Sequence, residues 1–160
     1  MSKRKAYVPR YANPVGGLVL FARMSAKAED SAPLRQDQLG DLGLAYRMSL
    51  QALLTGEATE EAWSCVVCSV NVAMALSEIG IADNCTDEFA AALEGLFRAK
   101  VRSVKSGSFR LDGDAIQDVK LALSLHDQQM LVAERRQVVA ALRTVRDRVE
   151  AGNVYTVEAA

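Results

Sequence analysis

The chain has 160 residues, of which 50% are hydrophobic, 24% are charged and 6% are aromatic. This length favours one domain, and the scarcity of aromatic residues means that Leu, Val, Ala and Met must build its core. The three cysteines, an odd number, argue against a disulfide framework and indicate reduced thiols in a cytoplasmic protein. The longest uncharged stretch, residues 62–77, is too short for a membrane span of about 20 residues, so we expect no contact with a membrane.

Charge divides the chain into two parts. Residues 1–28 carry six Lys or Arg and no acid, whereas the other 132 residues carry 13 bases and 20 acids. The net charge of −1 is therefore the sum of +6 and −7, and all three prolines lie before residue 34. We interpret residues 1–33 as an irregular basic arm, residues 34–152 as a helical bundle and residues 153–160 as a tail.

The start of the arm has the composition of a nucleic-acid contact. Its cations could neutralise phosphates, and its tyrosines could stack on bases. A basic terminus can also be merely solvated, or it can lie over the acidic body. The residues that we expect to bind nucleic acid or another partner are Lys3, Arg4, Lys5, Tyr7, Arg10 and Tyr11.

The first predicted helix of the bundle runs from about Leu34 to Leu54. We expect its buried face to include Leu39, Leu42, Met48 and Leu53. Gly40 and Gly43 weaken this helix by about 1 kcal/mol each relative to Ala, and they would let a second helix approach closely.

The second predicted helix has the strongest apolar pattern and should be central. Thr59 is a plausible N-cap, because two acids follow it in the first turn. Steps of four and three residues place Trp63, Val67, Val70 and Met74 in the core. Asn71 lies in the same helix, and a buried amide there needs a partner such as His126 or a helix carbonyl, unless it faces a ligand.

Two further helical regions follow. Thr86 is predicted to cap the first of them, whose stripe includes Phe89, Leu93 and Phe97. Asp112 or Asp114 starts the last region, where the expected core residues are Leu123, His126, Met130 and Leu142. The apolar pattern shifts by one position after Met130, so we predict a bend or break near residues 132–136. Together these patterns predict an all-α fold, a single bundle of four to five helices.

Cys65, Cys68, Cys85 and His126 have side chains that can bind zinc. The spacing argues against such a site, because the first two lie inside a helix beside valines rather than on a turn. We expect Cys65 and Cys68 to be buried thiols without metal, and His126 to be a core residue that is hydrogen-bonded to a neighbour. No cofactor and no catalytic set is indicated.

Several short motifs are spread along the chain. They are Ala12-Asn13-Pro14, Gly56-x-x-Thr59-Glu60-x-x-Trp63, Asn71, Ile79-Gly80-Ile81 and Leu125-His126-x-x-Gln129. With these motifs the chain resembles a group of small, uncharacterised helical proteins of proteobacterial phages and mobile elements. The resemblance implies a helical fold and a bacterial host, and it supplies no activity. The chain departs from the group at two places. Ala133 or Glu134 replaces a capping serine, and Cys65 and Cys68 stand where the group has other residues.

These observations favour a non-enzymatic accessory protein of a phage or mobile element. We expect it to bind a host protein or nucleoprotein complex through acidic helix faces, and to inhibit a host defence or transcription complex. The alternative is a nucleic-acid-binding regulatory module that uses the basic arm. A third hypothesis is an enzyme, which would need a pocket that joins Asn71, His126 and a carboxylate.

Overall fold

A computed structural model describes residues 32–153, and these residues form an all-α bundle of five helices. The helices are α1 (Gln36–Thr55), α2 (Glu60–Glu78), α3 (Thr86–Ser106), α4 (Gly113–Val132) and α5 (Arg135–Glu150), and a 3₁₀ turn (Asp83–Cys85) precedes α3. Within the described range, β pairing is limited to one isolated bridge between Pro33 and Glu134. The predicted all-α bundle is confirmed. The site residues predicted in the arm lie outside the described residues.

Side-chain caps start two of the helices as the sequence predicts. The hydroxyl of Thr59 accepts a hydrogen bond from the Ala62 N–H at 3.2 Å, and α2 follows. The carboxylate of Asp112 accepts one from the Ala115 N–H at 2.9 Å at the start of α4. The predicted cap at Thr86 is wrong by one residue. The 3₁₀ turn runs directly into α3, so Cys85 occupies the capping position without a side-chain hydrogen bond.

The predicted break near residues 132–136 is confirmed. Ala133 and Glu134 have extended backbones, with ψ of 138° and 150°, and they separate α4 from α5. The Glu134 N–H donates to the side-chain oxygen of Gln137 at 2.8 Å, which caps α5 without a serine. The Arg135 N–H donates to the carbonyl of Ala32 at 3.1 Å. The start of the described chain is therefore tied to the α4–α5 break.

The core has two parts, and α2 contributes to both. The main cluster joins α1, α2, α3 and α4, and its large buried members include Leu53, Val66, Leu96 and Val119. The second cluster joins α2, α4 and α5 with the residues before α1, and its members include Leu34, Val72, Leu76, Val138 and Val145. Since α2 packs against each of the other four helices, it is the central element.

The structure places the twelve predicted core residues at different depths. Six are buried: Trp63, Val70, Phe89, Leu123, His126 and Met130. Four are half-buried and pack against the clusters: Val67, Met74, Leu93 and Leu142. Asn71 is half-buried, and Phe97 is half-buried and belongs to neither cluster. In α3, Phe89, Ala92, Leu96 and Ala99 are fully buried, whereas Phe97 is only half-buried.

Two expectations about α1 are wrong. Met48, expected on the buried face, is 65% exposed, and Tyr46 is buried instead. A Cβ added at Gly40 would meet no atom within 4 Å, so no helix of the described chain approaches there. The close approach occurs at Gly95, where a Cβ would lie 2.6 Å from the Cβ of Ala115. Gly95 is therefore the glycine that α3 and α4 need in order to pack together.

Candidate functional site

A groove lies between α1 and the C-terminal part of α4. Its volume is about 420 Å³. The residues that line it are Gln36, Leu39, Gly40, Leu42, Gly43, Leu44, Tyr46 and Arg47 of α1 with Asp127, Met130 and Leu131 of α4. Apolar side chains therefore supply most of its surface, and its charged groups are confined to Arg47 and Asp127.

Gly40 and Gly43 of α1 line the groove, and Gly40 leaves open space beside it. The side chain of Gln38 accepts a hydrogen bond from Arg135 at 3.0 Å, and Tyr46 contacts Asp127, so α1 and α4 run antiparallel. Gly40 and Gly43 lie between these two contacts and contribute no side chain. A Cβ at Gly40 would point into open space, which is where a larger residue would fill the groove.

Polar side chains close one end of the groove. The hydroxyl of Tyr46 donates to one oxygen of the Asp127 carboxylate, and the guanidinium of Arg47 donates to the other. Burial, together with the hydrogen bond to this carboxylate, raises the pKa of Tyr46 well above its usual value. Tyr46 therefore stays a neutral donor, and it fixes Asp127 against α1.

The two rims of the groove carry exposed leucines. Leu44 on α1 is 61% exposed and Leu131 on α4 is 65% exposed, and both line the groove. Met48 follows one turn after Leu44 on α1. Scattered apolar side chains on a surface are normal, but side chains that converge on one concave surface are typical of a binding site.

His126 lies beneath this region and has a structural environment. Its Nδ1 is 3.3 Å from the side-chain oxygen of Gln129, and its ring centroid is 5.8 Å from that of Tyr46. Burial lowers the pKa of His126 below its usual value, so the imidazole is held neutral. The amide nitrogen of Gln129 donates to the carbonyls of Ala73 and Ile81, at 3.0 and 2.8 Å, and so supports the end of α2.

The structure does not bring Asn71 and His126 together in the groove, whose described lining includes neither. The amide of Asn71 donates to the carbonyl of Val67 at 2.9 Å, so a helix carbonyl is its partner, which is one of the two that we expected. Asp127, which shares a hydrogen-bonded cluster with Tyr46 and Arg47, is the carboxylate of the site. Local spacing does not single out these three residues, because Tyr46 and Asp127 lie 81 residues apart.

Cys65, Cys68 and Cys85 are not joined by disulfide bonds, and all three are half-buried. Cys65 packs against the margin of the main cluster and Cys68 against that of the second, so the expectation that both would be buried is only partly met. Burial raises the pKa of the Cys65 thiol, which favours its protonated form. Among the described residues, no group of three His, Cys, Asp or Glu side chains is placed to hold a metal ion.

Comparisons with protein-family models, with curated proteins and with solved structures find no match to this chain. In the part of the chain that the structure describes, no helix has the length and apolar character needed to cross a membrane. The geometry of the groove is therefore the basis on which a function can be proposed.

Proposed function

We propose that this chain is a non-enzymatic accessory protein of a phage or mobile element, and that it binds a host protein in the groove between α1 and α4. Binding would block a host complex that acts in defence or transcription. The observation that carries this proposal is the concave apolar surface between Leu44 and Leu131, both of which are more than half exposed on its rims. Leaving such side chains in water is unfavourable, and a partner that covers them recovers that free energy.

The α1 wall of the groove is long enough for a short helix as the bound segment, whereas the α4 wall, from Asp127 to Leu131, extends over about one turn. The α1 side of the groove extends from Gln36 to Arg47, which corresponds to about 16 Å, or three turns, at 1.5 Å per residue. An amphipathic helix that binds in a groove uses apolar side chains at spacings of three, four and seven residues, and three turns supply such a set. Gly40 and Gly43 let the backbone of the partner approach α1 closely.

The test compares three variants of α1 by affinity capture from a lysate of the native host. Gly40→Arg fills the groove, and we expect it to abolish capture of the partner that the wild type retains. Gly40→Ala adds one methyl group and should bind as the wild type does. Ala45→Arg places the same cation on an exposed position of α1 outside the groove, so it controls for the added charge.

The pattern across the variants decides the outcome. A host protein that is captured by the wild type, Gly40→Ala and Ala45→Arg, but not by Gly40→Arg, supports the proposal. Equal capture by all four proteins would show that the groove is not the binding surface. Thermal unfolding of each variant, followed by circular dichroism, ensures that a loss of capture is not a loss of fold.

A second function, nucleic-acid binding by the arm, is favoured by the sequence alone. Residues 1–28 carry six cations and no acid, which is the electrostatic footprint of a phosphate contact. Binding to random DNA and RNA should then weaken steeply with salt, and deletion of residues 2–11 should reduce both the affinity and the salt dependence. If the intact chain does not bind at low salt, this second function is excluded.

A further inference from the structure

The chain enters the described structure beside the groove. The carbonyl of Ala32 accepts a hydrogen bond from the N–H of Arg135, at the start of α5. Arg135 comes four residues after Leu131, which forms the α4 rim of the groove. On the other side, Gln36 begins the α1 wall four residues after Ala32. Both walls of the groove therefore begin within a few residues of the point where the chain enters.

The residues at this point of entry pack against the lining of the groove. Leu34, two residues after Ala32, is 6% exposed and belongs to the second cluster. The same cluster contains Met130, and Leu39 and Leu42 pack against it. All three of these residues also line the groove. One apolar layer thus connects the entry of the chain with the interior of the groove.

The sequence that leads to this point contains an apolar run. Residues 11–22 carry no charged side chain. Contact between this run and an apolar surface is favourable by about 25 cal/mol for each Å² that is removed from water. The groove, which apolar side chains line for the most part, is such a surface. The large apolar residues of the run are Val15, Leu18, Val19, Leu20 and Phe21.

The chain between the run and the point of entry is long enough to reach the whole groove. Ten residues, 22–31, separate Phe21 from Ala32. An extended chain spans about 3.3 Å per residue, so these two positions can lie up to about 36 Å apart. The α1 wall of the groove extends over about 16 Å and starts beside the point of entry. The connecting residues therefore let the run lie anywhere along the groove.

We propose that residues 15–21 of the same chain occupy the groove between α1 and α4 and compete there with the host protein. Leu131 and Val132, which are 65% and 71% exposed, precede the α4–α5 break to which Ala32 is bonded, so the segment covers them on its way to the groove. A segment that is linked to its own site acts at an effective concentration on the order of millimolar. The competition rests on the proposed host binding, whereas the contact itself does not.

Photocrosslinking of the full chain tests the contact without a host protein. The photocrosslinker p-benzoylphenylalanine in place of Phe21 reacts with C–H bonds that it touches, and mass spectrometry locates the products. At low micromolar concentration we expect crosslinks within a single chain, to residues 36–47 of α1 and 127–131 of α4. Gly40→Arg fills the groove and should lower their yield at least about tenfold. Ala45→Arg lies outside the groove and should leave the yield unchanged.

The location of the crosslinks decides the outcome. Crosslinks to both walls of the groove that are lost in Gly40→Arg and kept in Ala45→Arg support the proposal. Crosslinks mainly to other surfaces, or none, would overturn it. Covalent dimers in place of crosslinked single chains would assign the groove to a second copy and would also overturn it. A yield that Gly40→Arg leaves unchanged would place the contact outside the groove.

Capture of the host protein measures the regulatory effect separately. Leu18→Asp combined with Phe21→Asp removes the competing apolar surface and frees the occupied groove, so the host protein should bind at least about threefold more tightly than to the wild type. Ala6→Asp combined with Val8→Asp adds the same two carboxylates outside the run and should bind as the wild type does.

Equal affinity of the Leu18→Asp, Phe21→Asp variant and the wild type would overturn the competition. If the crosslinks form as expected but no host protein is captured, host binding fails and the contact of the run with the groove stands. If the host protein is captured but the crosslinks lie elsewhere, the contact fails and host binding stands. The two proposals are therefore distinguishable.

Discussion

Trp63 connects three parts of the main core. Its indole N–H donates to the carbonyl of Leu96 at 2.9 Å, and its ring centroid is 5.8 Å from that of Phe109. The ammonium of Lys100 lies 5.4 Å from the ring centroid, within the range of a cation–π contact. The side chain thus joins the start of α2 to α3 and to the loop that follows α3.

Replacing Trp63 should therefore weaken the fold strongly. We expect Trp63→Ala to lower the free energy of unfolding by about 3–5 kcal/mol, because it leaves a large cavity. Trp63→Phe keeps much of the bulk and removes the hydrogen bond, so its loss should be smaller, about 1–2 kcal/mol. Urea unfolding followed by circular dichroism measures both. A loss below about 1 kcal/mol for Trp63→Ala would contradict the buried position.

His126 should make the stability depend on pH. Burial lowers its pKa in the folded chain, whereas the unfolded chain binds a proton near the usual value of 6.5. The unfolded state then holds more protons at low pH, so the free energy of unfolding should fall as the pH drops below about 6.5. In His126→Gln this part of the pH dependence should vanish. The test is the urea midpoint of the wild type and of His126→Gln, each measured at about pH 7.5 and about pH 5.5. If the midpoint falls by the same amount in both proteins at the lower pH, the account is contradicted.

The sequence locates single core residues well where an apolar repeat is long and uninterrupted. Trp63 and Val70 come from such a repeat, and both are buried. In α1 the apolar residues lie on more than one side of the helix, so periodicity alone does not select the buried face. The structure resolves this by burying Tyr46, whose hydroxyl finds Asp127, and by exposing Met48. That choice depends on a partner 81 residues away, which local spacing does not reveal.

The packing of α3 on α4 depends on a glycine. At Gly95 an added Cβ would lie 2.6 Å from the Cβ of Ala115 and 3.1 Å from its Cα, and neither atom can move unless the backbone of α4 shifts. At Gly40 an added Cβ would meet no atom within 4 Å. The same substitution should therefore have opposite effects in α3 and in α1.

We expect Gly95→Ala to destabilise the bundle by about 1–3 kcal/mol, because steric overlap exceeds the gain in helix propensity. Gly40→Ala should instead stabilise it by up to about 1 kcal/mol, since only the propensity term remains. The two variants are compared by thermal and urea unfolding. A stabilising Gly95→Ala would show that α3 and α4 are not packed as closely as described.

Helix ends were predicted more reliably than helix faces. Thr59 and Asp112 cap α2 and α4 because their oxygens reach a backbone N–H three residues ahead, a relation that local sequence contains. Hydrogen bonds from Arg98 and the capping N–H of Ala115 lower the pKa of Asp112 well below its usual range, so the cap stays charged. The cap predicted at Thr86 is one residue too late, because the sequence contains no comparable signal for the short 3₁₀ turn that precedes α3.

The groove belongs to the whole molecule, and the sequence did not predict it. The sequence predicts acidic helix faces as the contact surface for a partner, and Gly40 as a site of close packing with a second helix. The groove lies between α1 and α4, and the contacts that hold α1 in place there, those of Gln38 and Tyr46, join it to residues that are distant along the chain.

The most direct test is a titration of the captured host protein against the wild type, Gly40→Ala, Ala45→Arg and Gly40→Arg, with the free energy of unfolding measured for each. We expect the first three to bind with the same affinity and Gly40→Arg to bind at least about 100-fold more weakly, while remaining at least as stable as the wild type. If Gly40→Arg binds as tightly as the wild type, the partner does not occupy the groove between α1 and α4.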